Sequence, residues 1–292
     1  MASVFECVPN VSEGRRRDVI EAIGAAASDG PGVVLVDTQS DASHNRSVYT
    51  LVGTADGVLD SALRLAGAAI ERIDLRTQRG EHPRMGAVDV IPFVPLSGAS
   101  MDEAIELARR CANEIWQRHR VPSYFYERAA TKPERRDLAA IRKGQFEGLL
   151  TAVKDPARHP DVGEAELHAS AGAVAIGARD FLIAYNVNLA TSDLKLAERI
   201  AVAVRQRSGG LLGIKALGFT LTKDVVQVSM NLVDINAAPL HRVTELVRRE
   251  AAAAGVSVCG CELVGLAPLS AIAAAAAYYL HLERIDSAQV TW

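Results

Sequence analysis

No uninterrupted apolar run in this chain approaches the ~20 residues that a membrane-spanning helix requires, and the most apolar stretch, Ala271–Leu280, is too short. A strong charge of either sign is missing as well. The net charge of −3 over 292 residues gives no electrostatic case for binding nucleic acid. Cysteine is scarce: there are four, and only Cys259 and Cys261 are near neighbours. Two thiols one residue apart on a strand share a face, yet a zinc site would need a second pair. Core packing is therefore the expectation for them, and no metal is predicted. The chain has no P-loop, no His-Glu-x-x-His and no Gly-x-Ser-x-Gly. Gly172-Ala173-Val174-Ala175-Ile176-Gly177 lacks the Gly-x-Gly opening of a dinucleotide fingerprint. The first residues, MASVFECVPNVSEG, carry no charged segment followed by a long apolar core. No secretory signal is expected, and the chain reads as cytoplasmic with no membrane partner.

What is present is an ordinary globular composition, 49% apolar and 23% charged, over a length that suits one large domain or two small ones. Its apolar periodicities run in a repeated order. A strand over Val4–Val8 precedes a helix marked by Val19, Ile20, Ile23, Ala26 and Ala27. Val33–Val36 reads as a strand ending at Asp37, Thr38–Asn45 as a polar loop, and Ser47–Val52 as the next strand. A helix with Leu59, Ala62, Leu63, Ala66, Ile70 and Ile73 on one face follows, then a strand near Val88–Val94. Ser100 and Glu103 have capping-box spacing at the head of another helix, and Pro122–Tyr126 is a short aromatic strand. From Thr131 to Gly172 the periodicity fades into charge, glycine and proline; connectors this long are commonly functional or disordered. The order then begins again. Strands fall at Phe181–Val187, Leu211–Leu221, Val225–Val233 and Val256–Val264, helices around Ala197–Val204 and Leu240–Ala254, and a last helix starts at Pro268. Two βαββαβ units predict an α+β fold of two ferredoxin-like subdomains, with helices on the outer faces and the sheets facing one another across a ligand cleft. The expected division is 1–178, including the connector 131–172, and 179–292.

Within this frame Gly80-Glu81-His82-Pro83-Arg84-Met85-Gly86 is the densest polar cluster. Pro83 forces His82 away from helical geometry. The imidazole is thus expected in a loop ahead of a strand whose apolar run only Asp89 interrupts. Histidine titrates near neutrality, so the position suits proton transfer; a surface-loop histidine is the plain alternative. Asn10 and Ser12, at a strand end, suit either the polar edge of a ligand or a cap for the following helix. Arg46, in the polar loop Asp41–Ser47, suits bidentate recognition of a carboxylate, or else a surface ion pair. In the second half Asn186 and Asn188 fall on one face of an apolar strand, where amides need partners from the protein or from a ligand.

The runs ECVPNVSEG, HNRSVYTLVG, GEHPRMGAVDVIPFVP, VPSYFYERAA, IRKGQFEGL, GARDFLIAYNVNL and QVSMNLVDI span nearly the whole length. Together they resemble the glutamate formimidoyltransferases, whose transferase domain stands alone in some bacteria and is fused to a cyclodeaminase in animals. The resemblance implies two ferredoxin-like subdomains facing across a folate tunnel, in a homodimer. It implies transfer of a formimino group from N-formimino-L-glutamate to N5 of tetrahydrofolate, the co-substrate, with release of glutamate. Deamination of the product would fall to a separate cyclodeaminase polypeptide. The family's catalytic histidine falls on His82. Its folate-binding segment falls on Gly163, Glu164, Ala165, Glu166, Leu167, His168, Ala169, Ser170, Ala171 and Gly172. An acidic residue that assists the family's histidine aligns with Gln39, so Asp41 is the expected substitute. Arg46 and Arg84 are expected carboxylate clamps, Arg84 beside the catalytic group. Asn10, Arg46, Asn186 and Asn188 are expected to line the folate site. A related folate transferase with another formyl or formimino donor, or a non-catalytic folate-binding paralogue, are the alternatives; Gln39 favours the latter.

Overall fold

Pro9 cannot donate to a sheet ladder, and the first strand breaks there into β1 (Phe5–Cys7) and β2 (Asn10–Val11). The computed structural model, which describes residues 3–283 and 285, divides into two units, Met1–Phe181 and Leu182–Trp292. In the first, α1 (Arg17–Ser28) leads to a hairpin of β3 (Val33–Asp41) and β4 (Arg46–Gly53). Helix α2 (Ala55–Arg72) and strand β5 (Val88–Pro95) follow. β1 and β2 lie between β4 and β5 and run antiparallel to both, which gives the ferredoxin-like order β3-β4-(β1/β2)-β5. The Thr54 hydroxyl starts α2 by accepting from the Gly57 amide at 3.2 Å. Helix α3 (Met101–His119) begins with the Ser100–Glu103 capping box expected from the sequence. Ile23 and Ala27 of α1, Ala62, Leu65 and Ala66 of α2, and Leu107 and Cys111 of α3 are buried beneath the helices. Each such leucine or isoleucine stabilises the unit by about 1.5–3 kcal/mol. Tyr49 reaches this core too, its hydroxyl donating to the Ile20 carbonyl at 2.9 Å.

Four stretches differ from the sequence-based expectation. Thr38–Ser40 are not loop: β3 continues to Asp41, pairing Gln39 with Val48 and Asp41 with Arg46 after an irregularity between Leu35 and Asp37. Backbone pairing with β4 outweighs the weak strand preference of these polar residues. The connector 131–172 is ordered. It forms α4 (Leu138–Ile141), α5 (Gln145–Ala152) and short 3₁₀ turns, and it sends Ile141, Phe146, Leu149, Val153 and Leu167 into the core. Val174–Ala178, read from sequence only as a failed fingerprint, is strand β7. It is parallel both to β5 and to β6 (Ser123–Glu127), and all five of its residues are buried. Finally, Cys259 and Cys261 are exposed rather than packed in a core.

The second unit repeats the motif. β8 (Ile183–Leu189), α6 (Leu194–Val204), β9 (Ile214–Thr222), β10 (Val225–Leu232), α7 (Leu240–Ala253) and β11 (Val258–Val264) form a sheet of order β11-β8-β10-β9. Helix α8 (Leu269–Tyr279) packs on α7. Alternation turns Ile183, Tyr185, Val187 and Leu189 towards the helices, where the Tyr185 hydroxyl meets Thr244 Oγ1 at 2.8 Å. The cysteine pair lies on the edge strand β11, where a register shift between Val258 and Gly260 interrupts the pairing.

If the connector is part of the core, Phe146→Ala will destabilise the protein by about 3–5 kcal/mol in urea unfolding. A loss under about 0.5 kcal/mol, the value for ordinary surface positions, would mean that the segment packs on nothing.

Candidate active site

His82 sits on a loop pinned at both ends by close backbone approach. A Cβ on Gly80 would lie 2.3 Å from the His44 carbonyl oxygen, and one on Gly86 would lie 2.1 Å from that of Ala173. Only glycine tolerates either contact. Between these points the Glu81 amide donates to Ser43 O at 3.3 Å and the Met85 amide to Asp89 Oδ1 at 2.8 Å. The Arg84 carbonyl accepts the Phe146 amide at 2.8 Å. The tip of the β3–β4 hairpin, the start of β5 and the connector thus fix jointly the loop that carries the imidazole.

The charges around His82 are unbalanced. Burial, then Arg46, Arg142 and His44, push its pKa down to about 2. His44 is the nearest ring, edge-on with centroids 6.4 Å apart. Asp41 does not take the place of a carboxylate partner for His82. Its two oxygens receive the His44 amide at 2.8 Å and the His44 Nδ1 at 2.9 Å. Burial raises the Asp41 pKa, but these bonds outweigh it and hold the carboxyl below its usual range. Gln39 donates to Asp37 Oδ2 at 2.8 Å, which occupies that carboxylate too. Arg46 pairs with no carboxylate among the described residues, and its Nε is buried without an acceptor. Burial first, then Arg142, lowers its pKa to about 10. Arg142 itself is paired with Asp89, which is 2% exposed.

Arg84 is placed differently from a ligand clamp. It is buried, and its guanidinium donates to the carbonyls of Leu75 at 3.3 Å and Gln78 at 2.9 Å and to Glu147 at 2.9 Å. It braces the approach to the His82 loop against α5. The segment Gly163–Gly172 lies under the same loop. Ser170 O accepts the Leu75 amide and Ala171 O the Ala87 amide, each at 2.9 Å, and Gly86 bridges to Gly172. Leu167 is buried, His168 Nδ1 accepts the Ala171 amide at 3.0 Å, and Ala165 O accepts from Lys154 at 3.2 Å. Glu164, Glu166 and Ala169 are exposed. Asn10 is buried and donates to Val8 O at 2.8 Å, while Ser12 donates to Gly86 O at 2.7 Å. Neither caps α1. Glu13 instead braces the entry to the helix, accepting the Arg15 and Arg16 amides at 2.8 and 2.9 Å, while the N-cap Arg16 has no side-chain capping bond. In the second unit Asn186 and Asn188 share a sheet face and find protein partners, Glu262 at 3.0 Å and Gln227 at 2.9 Å.

Arg142 was missed because nothing local distinguishes it from the other arginines of the connector. The signal that could have found it is Asp89, since a carboxylate inside an apolar strand demands a buried cation.

The profile of the formiminotransferase domain's N-terminal subdomain matches residues 4–179, and that of the formiminotransferase domain matches residues 184–289. The chain belongs to the formiminotransferase family. It is 44% identical over 287 residues to a glutamate formimidoyltransferase of Streptococcus pyogenes, covering 98% of this chain and 96% of that one. A glutamate formimidoyltransferase of Thermoplasma acidophilum is 45% identical over 291 residues, with 99% and 96% covered. A formimidoyltransferase-cyclodeaminase of Rattus norvegicus is 43% identical over 292 residues, but this chain spans only 54% of its length.

In this formiminotransferase, the depressed pKa of His82 means that ligand-free protein keeps the ring neutral. An NMR titration should show no His82 transition between about pH 5 and pH 8, the span in which histidine ordinarily titrates. A midpoint near 6.5 would show that neither burial nor the surrounding guanidiniums act on it.

Proposed function

We propose that this formiminotransferase moves the formimino group of N-formimino-L-glutamate to tetrahydrofolate and releases glutamate, with His82 carrying the proton. Full-length likeness to two glutamate formimidoyltransferases supports the reaction, and the placement of His82 supports its role. Tetrahydrofolate supplies the nucleophile, N5. His82 takes the proton that N5 loses as the new carbon–nitrogen bond forms, then gives it to the glutamate nitrogen as the old bond breaks. The proton lost by one amine is the one gained by the other, so no other acid or base is consumed. The formimino nitrogen is itself protonated, which makes the formimino carbon electrophilic without a metal to activate it.

The residues present fit two anionic substrates. Arg46 has an unsatisfied Nε, and Arg142 is paired with a carboxylate, that of Asp89, which also accepts the Met85 amide. The backbone of 163–172, held against the His82 loop, is the proposed folate seat. Holding both substrates at one ring would supply much of the rate. A cytoplasmic homodimer completes the proposed setting.

His82→Ala should lower turnover by about 10²–10⁴-fold while tetrahydrofolate binding stays within a factor of a few. Turnover unaffected by the substitution would remove His82 from the chemistry. Formiminoglutamate should outpace both N-formylglutamate and formiminoglycine in the same assay; the reverse order would change the donor.

A further inference from the structure

Two guanidiniums, those of Arg46 and Arg142, oppose a proton on His82, and of the two only Arg142 has a carboxylate partner among the described residues, Asp89. Asp89, from β5, gives one oxygen to the Met85 amide and the other to Arg142. The side chain of Arg46, from β4, has no ion pair or hydrogen bond among the described residues; the residue is half-buried, and its Nε is buried without an acceptor. The remaining charged neighbours come from the β3–β4 hairpin, where Asp41 is turned to His44. Leaving a buried N–H of a guanidinium unpaired is costly. Such a group is a sign of an anion that completes it.

We infer that Arg46 and Arg142 form a carboxylate seat beside His82, and that the donor's α-carboxylate, seated there, is the counter-ion this imidazole otherwise lacks. The inference rests on the transfer reading above and adds the donor's own part in the proton transfer. In a formimino amino acid only the α-carbon and its nitrogen separate the carboxylate from the formimino carbon. Seating that carboxylate therefore also brings the departing nitrogen to the ring. An anion between two guanidiniums and an imidazole offsets their repulsion and favours the imidazolium. Without it His82 stays neutral and is a weak base; with it the ring can hold the proton until the glutamate nitrogen takes it. The seat also selects the donor class, since a formimidoyl amine without an α-carboxylate would leave His82 unassisted.

The test follows the His82 ring by NMR in the full-length protein labelled at histidine, with L-glutamate and with the α-amide of glutamate as probes. L-glutamate should raise the His82 midpoint by about 1–3 pH units, and the α-amide should not. Arg46→Met should abolish that shift and raise the donor KM on the order of 10–100-fold, with tetrahydrofolate affinity unchanged. Arg46→Lys, which keeps the charge, should retain part of the shift and serves if the methionine variant does not fold. Bound glutamate that leaves His82 unmoved, or an unchanged donor KM in Arg46→Met, overturns the seat even if formimino transfer is confirmed. A glutamate-dependent shift in a protein that shows no transfer would keep the seat and remove the transfer reading.

Discussion

The carboxylate of Asp89 holds the surroundings of His82 in place. It sits at 2% exposure inside an otherwise apolar strand, and each oxygen is committed, one to the Met85 amide and one to Arg142. A buried charge of this kind is tolerated only with close partners. Satisfying it obliges the connector to bring Arg142 back to β5, and obliges the loop before β5 to turn its amide inward. The loop, the strand and the connector are coupled through one side chain. The positive excess beside the imidazole follows from the same fact, because one carboxylate cannot also neutralise Arg46.

A second buried group acts in the opposite sense. Glu6 on β1 is 3% exposed, and burial, opposed by Arg179, pushes its carboxyl up to about 7. Between its ordinary value near 4.5 and that point, the unfolded chain is ionised where the folded one is not, so stability falls as pH rises. For His82 the unfolded chain binds more protons from its ordinary value near 6.5 down to about 2, so stability falls as pH falls. The two windows overlap in mildly acidic solution, where the slopes oppose each other and flatten the pH dependence of the first unit.

How much of this was legible in the sequence varies with the kind of force involved. The α3 capping box, the β9–β10 hairpin and both βαββαβ orders were readable, because local hydrogen bonding and short-period alternation set them. β7 was not: five small or apolar residues buried on both faces have no alternation, and only the parallel neighbours on each side make them a strand. The extension of β3 through Thr38–Ser40 was hidden for the converse reason, since pairing with β4 overrode polar composition. Within the site, His82 was visible from proline and glycine punctuation. The partner of Arg84 was not, because Glu147 reaches it only after the chain has folded back; that of Asp41, His44, is three residues away but meets it only through the geometry of the β3–β4 turn.

The position of β7 between two earlier strands has a bearing on the chain's synthesis. β5 and β6 are made well before it, and until residues 174–178 leave the ribosome they have no common neighbour to join them. The nascent first unit must therefore carry two unjoined strand edges through the translation of the whole connector, a span in which such edges attract wrong partners.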